Sequence, residues 1–184
     1  IATFDDYGNV PVQSQDLSSL TNLVLGLKLS AGTGDVYLEL QDASGAKSSV
    51  LLKGLGTTEQ FYQVALSLFS GVDLHTIASI NLVVKHGVMP DTGTLSVRLG
   101  DIPYTPEVLH NSNLTSADVS HLSGLLQAVG FASKAPNGVG SAALTQLSGS
   151  ELSLAYDVTN AESFGGVIAT FDDYGNVPVQ SQDL

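Results

Sequence analysis

From Leu20 to about Thr105, apolar and polar residues alternate with period two, the signature of strands that bury one face. Leu23, Leu25, Leu27 and Leu29 alternate with Val24, Gly26, Lys28 and Ser30. Val36, Leu38 and Leu40 follow, then Tyr62, Val64, Leu66 and Leu68, then Ile80, Leu82 and Val84, and last Leu95, Val97 and Leu99. Turn-forming residues separate these runs: Ala31-Gly32-Thr33-Gly34, Asp42-Ala43-Ser44-Gly45 and Pro90-Asp91-Thr92-Gly93. Short strands at regular spacing with glycine-rich turns predict an all-β jelly-roll β-sandwich.

The stretch 106–149 breaks this pattern and reads as a connector. Thr115-Ser116-Ala117-Asp118 looks like a helix start, with a hydroxyl cap and an acid in the first turn. Val119, Leu122, Leu126 and Val129 then recur at helical spacing, and Gly130 offers a stop. The spacing predicts one short amphipathic helix over 116–129, whose apolar face would pack on an adjacent sandwich. The small residues of Ala132–Gly140 read as linker. Alternation resumes at Leu152, Leu154, Tyr156 and Val158, and again over Gly166–Asp173.

The chain contains an internal repeat that changes the domain picture. Ile1–Leu17 and Ile168–Leu184 are identical, IATFDDYGNVPVQSQDL, so the copies start at positions 1 and 168 with a period of 167 residues. That period far exceeds a solenoid repeat and matches one whole domain. The expected division is therefore 1–105 as most of one sandwich lacking its first strands, 106–149 as connector, and 150–184 as the opening strands of the next repeat. The strands at 150–173 have two outcomes open to them. They either fold back on 20–105 like a circular permutant or belong to the next bead. With its start at Ile1 inside a strand-like run, the chain reads as one period of a longer polymer.

Composition narrows the function classes. The chain is 43% hydrophobic, enough for a real core. It carries Lys+Arg 6 against Asp+Glu 18, a net charge of −12, a field that opposes nucleic acid and anionic lipid. No apolar run is long enough for a membrane helix, so membrane insertion is not expected. Cysteine is absent, which leaves neither disulfides nor thiolate metal sites.

In the order of a native repeat, the segments SELSLAYDV, SFGGVIATFDD, DVYLELQDASG and GTLSVRLGDIPY resemble the galactose-binding-like β-jelly rolls of bacterial carbohydrate-binding modules. Asp16-Leu17-Ser18, Leu40-Gln41-Asp42, Phe69, Ile77, Ile80 and Gly93–Tyr104 fall where that family has its core and turn motifs. The likeness covers most of one period and leaves out the connector. It implies a structural calcium, for which Asp101 and then Asp157 are the candidates, calcium taking six to eight oxygen ligands. It also implies a glycan partner, which would need aromatic platforms. Here the chain departs from sugar-binding members, since Trp is absent and aromatics are only 7%. Tyr7 and Tyr37 are the candidate glycan contacts.

Other chemistry is thin. Asp5-Asp6, repeated as Asp172-Asp173, are strand neighbours that point to opposite faces, unlike the facing carboxylates of a glycosidase. His75, His86, His110 and His121 lack metal-ligand spacing, and no nucleophile-elbow, zincin or phosphate-loop motif occurs. Asn113-Leu114-Thr115 is a glycosylation sequon. The expectation is a non-enzymatic structural repeat of an extracellular or cell-surface filament, stalk or adhesin of bacterial origin, whose partners are copies of itself through its connector and strand exchange. The rival is a tandem carbohydrate-binding module acting by avidity.

Overall fold

In the computed structural model, residues 14–99, 127–136, 138–147 and 151–170 are described. Ten strands form two antiparallel sheets packed face to face. In chain order they are β1 (Asn22–Leu29), β2 (Gly34–Asp42), β3 (Lys47–Leu55), β4 (Gln60–Ala65), β5 (Ile77–Lys85), β6 (Thr92–Arg98), β7 (Gln127–Ala132), β8 (Ser141–Gln146), β9 (Glu151–Asp157) and β10 (Phe164–Thr170). One sheet has the order β4-β1-β6-β9-β8 and the other β3-β2-β5-β10-β7. The protein is all-β, a β-sandwich, as the period-two pattern predicts. Among the described residues no helix is long and apolar enough to cross a membrane.

The alternating leucines make the core. Leu23, Leu25, Leu27 and Leu29 of β1 face Leu38 and Leu40 of β2 and Ile80, Leu82 and Val84 of β5 across the sandwich, all essentially without solvent contact. Lys28, the polar neighbour on β1, is exposed. One expected run bends away from its pattern. β4 ends at Ala65, and Leu66–Leu68 form a 3-10 turn. Leu66 stays buried while Leu68 is 57% exposed, because Phe69 takes the next core position as the chain crosses between sheets.

The connector reading needs correction. Residues 127–147 are part of the sandwich, and the expected helix ends in strand. Val129 lies in β7, paired with Ile168 of β10, and Gly130 is a mid-strand residue opposite Val167. A Cβ on Gly130 would come within 3.3 Å of the Ala142 carbonyl and 3.5 Å of Leu144. Glycine is there because two edge strands of opposite sheets approach closely, not to stop a helix. The expected linker is likewise pinned: Ser133 N–H donates to the Phe164 carbonyl, Gly140 N–H donates to the Ser133 carbonyl, and Phe164 N–H donates to Ser133 Oγ. Val119, Leu122 and Leu126 lie outside the described residues.

Of the two alternatives for 150–173, the described residues 151–170 show the fold-back within this one chain. β9 and β10 fold back on the same chain, pairing with β6 and β5. The opening strands that seemed missing from 1–105 are supplied by its own C-terminal part, as in a circular permutant.

Candidate functional site

Both sheets divide at the same place along the sequence. In one, β4-β1-β6 adjoin β9-β8; in the other, β3-β2-β5 adjoin β10-β7. The sandwich therefore consists of an N half, β1–β6, and a C half, β7–β10, each contiguous in sequence. They meet at two seams, β6 on β9 and β5 on β10. The sequence between them, 100–126, lies outside the described residues.

The β6–β9 seam runs from Thr92↔Asp157 to Arg98↔Glu151. On its inner face Leu95 and Val97 sit opposite Leu154 and Leu152, all buried. On its outer face Arg98 reaches Glu59 of the N half at 3.1 Å and Glu151 of the C half. Gly26 lies beneath this trio. A Cβ there would meet Glu59 Oε1 at 3.0 Å and the Phe61 ring at 3.1 Å, so its absence lets the ion network lie flat on the sheet. Such a half-exposed network fixes register more than it adds stability.

The β5–β10 seam runs from Phe164↔Lys85 to Thr170↔Ser79, with Val167 and Ala169 entering the core beside Leu82 and Ile80. Gly166 makes the fit. A Cβ at that position would lie 2.1 Å from the Leu82 carbonyl oxygen and 2.7 Å from the Phe131 ring of β7. Phe131 occupies that space and meets the Phe164 ring at 6.4 Å between centroids. At the end of both seams His86 ties the halves together: its N–H donates to the Ser163 carbonyl and its Nδ1 donates to the Val158 carbonyl.

The N-terminal approach to β1 ends on this same seam. Gln15 exchanges two hydrogen bonds with Ile77 at 2.8 and 3.0 Å. The other edge of Ile77 is taken by Asp42 of β2, so Gln15 sits on the edge that β10 occupies. It stands two positions beyond Ser79, where β10 stops pairing. Leu17 follows, fully buried, its N–H donating to the Leu74 carbonyl.

Three aspartates accept hydrogen bonds from the turns beside them. Asp42 is buried at the β2–β3 hairpin. Its Oδ1 accepts from Ser44 N–H, Ser44 Oγ and Ala46 N–H, and its Oδ2 accepts from Asp73 N–H. The Ser44 hydroxyl first, then the Asp73 N–H, hold its pKa below the ordinary value. Asp157, a calcium candidate, accepts from Thr159 N–H, and that bond lowers its pKa in the same way. Asp16 accepts from Ser18 N–H and faces His75 Nδ1 at 3.3 Å; the Ser18 hydroxyl first, then that N–H, hold its pKa below the ordinary value. Among the described residues no group of three or more His, Asp or Glu is placed to share an ion.

Of the glycan candidates, Tyr37 lies on the outer face of β2 with Lys85 Nζ 4.4 Å from its ring centroid. The face a sugar would stack on is shared with that cation. Asp101, Tyr7 and Asn113 lie outside the described residues. The seam itself escapes sequence reading, because its pairing joins residues far apart in the chain. Two signals mark it: the Gly165-Gly166 pair inside a strand pattern, and Arg98 and Glu151 as opposite charges at paired ends of β6 and β9. No protein family, curated protein or solved structure matches the chain.

Proposed function

We propose that the chain is the structural repeat of an extracellular filament, stalk or long surface adhesin, and that copies of itself are its partners. The observation that carries this reading is the identical 17-residue segment at both ends of a 167-residue period, together with the position of its second copy. Ile168-Ala169-Thr170, which begin that copy, are part of β10, an interior strand of a sheet. A duplicated segment that completes a core strand ties the repeat of the sequence to the repeat of the fold. Identical beads then follow one another with one sandwich per period. The acidic surface suits an exposed polymer, since a net charge far from zero resists non-specific association.

Negative-stain electron microscopy of the chain extended to several periods tests this reading. Ordered filaments with one bead per period are the expected result. Flexible strings or single particles would overturn it and favour the glycan-binding rival, a galactose-binding-like module repeated for avidity. Repeating the grids after a chelator tests calcium separately: loss of order on chelation places the ion at the joints.

A further inference from the structure

The two seams and the position of Gln15 bear on which C half completes which N half in an array. In this chain one C half meets one N half, and 100–126, a span of 27 residues, joins them. In an array each C half has a second choice, the N half of the following period. The route to it runs from Thr170 through residues equivalent to 4–14. Thr170 stands opposite Ser79, and Gln15 stands opposite Ile77 on the same edge of the same strand. Because Thr3 is the counterpart of Thr170, only eleven residues separate that strand end from Gln15 in the repeat. Two strand positions are roughly 7 Å apart, a gap that eleven residues are long enough to span.

We propose that in the array the C half of each period completes the N half of the next, so that a bead comprises residues 127–170 of one period and 15–99 of the following one. The surface concerned is the flank of β5 and β6 that β10 and β9 cover within this chain, and its occupant in the array is the β7–β10 unit of another copy of this sequence. The shorter connection raises the effective concentration of the following N half about fourfold over the preceding one. The inference rests on the reading of the chain as a repeat and adds which half is exchanged and in which direction.

A competition between two N halves tests it. The full chain is extended past Leu184 through the residues equivalent to 18–99, giving one C half a choice of two N halves. Ser96 and Ser153 stand directly opposite across the β6–β9 seam. Thr94, two residues from Ser96 on the same face, exchanges its bonds with Ser30 on the β1 side. Ser96↔Ser153 is therefore a non-hydrogen-bonded pair, with the short Cα separation a disulfide needs. Because the chain has no cysteine, Ser153→Cys with Ser96→Cys in both N halves reports only this contact. The 184-residue chain carrying the same pair sets the geometry by crosslinking within itself. After refolding in a glutathione buffer, the two products separate by loop size on a non-reducing gel. A product with the second N half exceeding that with the first by about fourfold or more is expected. An equal split, or a majority with the first, overturns the inference and leaves the filament reading to the microscopy. Filaments that fail to form alongside a second-half majority overturn that reading alone.

Discussion

The two halves of the sandwich are built from different material. The N half is leucine-rich: β1 alone places four leucines in the core, and β2 and β5 add seven more aliphatic side chains at positions with no solvent contact or almost none. The C half leans on small residues. Ala128, Gly130 and Ala132 of β7, Ala142 of β8 and Gly165 of β10 fall where the two sheets close on each other, and Leu152, Leu154, Tyr156 and Val167 supply the bulk. A large side chain fills space and tolerates adjustment. A glycine at a close approach tolerates nothing, because the neighbouring backbone has no rotamer to change. The N half should thus resist single substitutions by redundancy, and the C half should fail at a few points where strands touch.

The sharpest way to break that contrast is Gly166→Val. The new Cβ would fall on the Leu82 carbonyl and the Phe131 ring, so β10 could not lie beside β5. The expected loss is about 4 kcal/mol or more, enough to open the seam in a domain of ordinary stability. Gly56 of the N half has nothing within 4 Å of a built Cβ and no positive φ, so Gly56→Ala should change stability by less than about 0.5 kcal/mol. Urea unfolding of both variants checks the pair. Equal effects would end the idea that the C half is the constrained one.

Cavity substitutions ask whether the halves unfold together. Leu25 and Leu154 are both wholly buried, one in each half. Leu25→Ala and Leu154→Ala should each cost about 2–5 kcal/mol. If the seams couple the halves fully, both variants keep one transition with an unchanged denaturant slope. A separate early transition in Leu154→Ala alone would show the C half detaching first, the behaviour that exchange between copies requires.

Much of the N half was legible because hydropathy alternation maps directly onto one buried face. β1, β2, β5 and β6 follow from their leucines, isoleucine and valines without further information. β3 was not, since Val50, Leu51 and Leu52 stand in a row on an edge strand and carry no period. β7 and β8 were lost for a different reason. Ala128, Gly130 and Ala142 are chosen by the approach of two edge strands, a non-local constraint that leaves no apolar rhythm, so the helical spacing that ends at Val129 was carried into the start of β7. The seams were illegible because each joins residues tens of positions apart. Asp157 is a calcium candidate only through the family resemblance, and its hydrogen bond from the nearby Thr159 N–H is something only the turn geometry reveals.

That geometry makes the hairpin at Asp42 an electrostatic anchor of the N half. Asp42→Ala leaves three N–H groups and a hydroxyl without their acceptor and should cost about 2–3 kcal/mol. Asp42→Asn should fall between, since one amide nitrogen must then face a donor. The carboxyl pKa values of Asp42, Asp16 and Asp157 are lowered from 3.8 in the folded chain. Their contribution is present above that value and is lost as pH falls through the lower folded values. Stability should accordingly drop on acidification below about pH 4, and less steeply in Asp42→Ala. A parallel loss in the variant and the parent would remove Asp42 from the account.

The smallest effect isolates the packing of the C half against β6. Tyr156 of β9 stands opposite Gly93, and a Cβ on Gly93 would lie 2.9 Å from the Tyr156 hydroxyl. The tyrosine covers the space the glycine leaves, but its buried hydroxyl has no hydrogen-bond partner. Its value to the fold is the ring, and the hydroxyl is a desolvated polar group. Tyr156→Phe should therefore be neutral or stabilising by up to about 1 kcal/mol near pH 7. Burial raises the phenol pKa from 10.0 to about 12. A group raised in the folded state contributes stability that is lost as pH climbs from the unfolded value through the folded one, here between about 10 and 12. Alkaline unfolding should move to higher pH in Tyr156→Phe, while Gly93→Ala, which drives a methyl into the hydroxyl, should destabilise at every pH. A phenylalanine variant weaker than the parent at neutral pH would mean that the hydroxyl bonds across the seam after all.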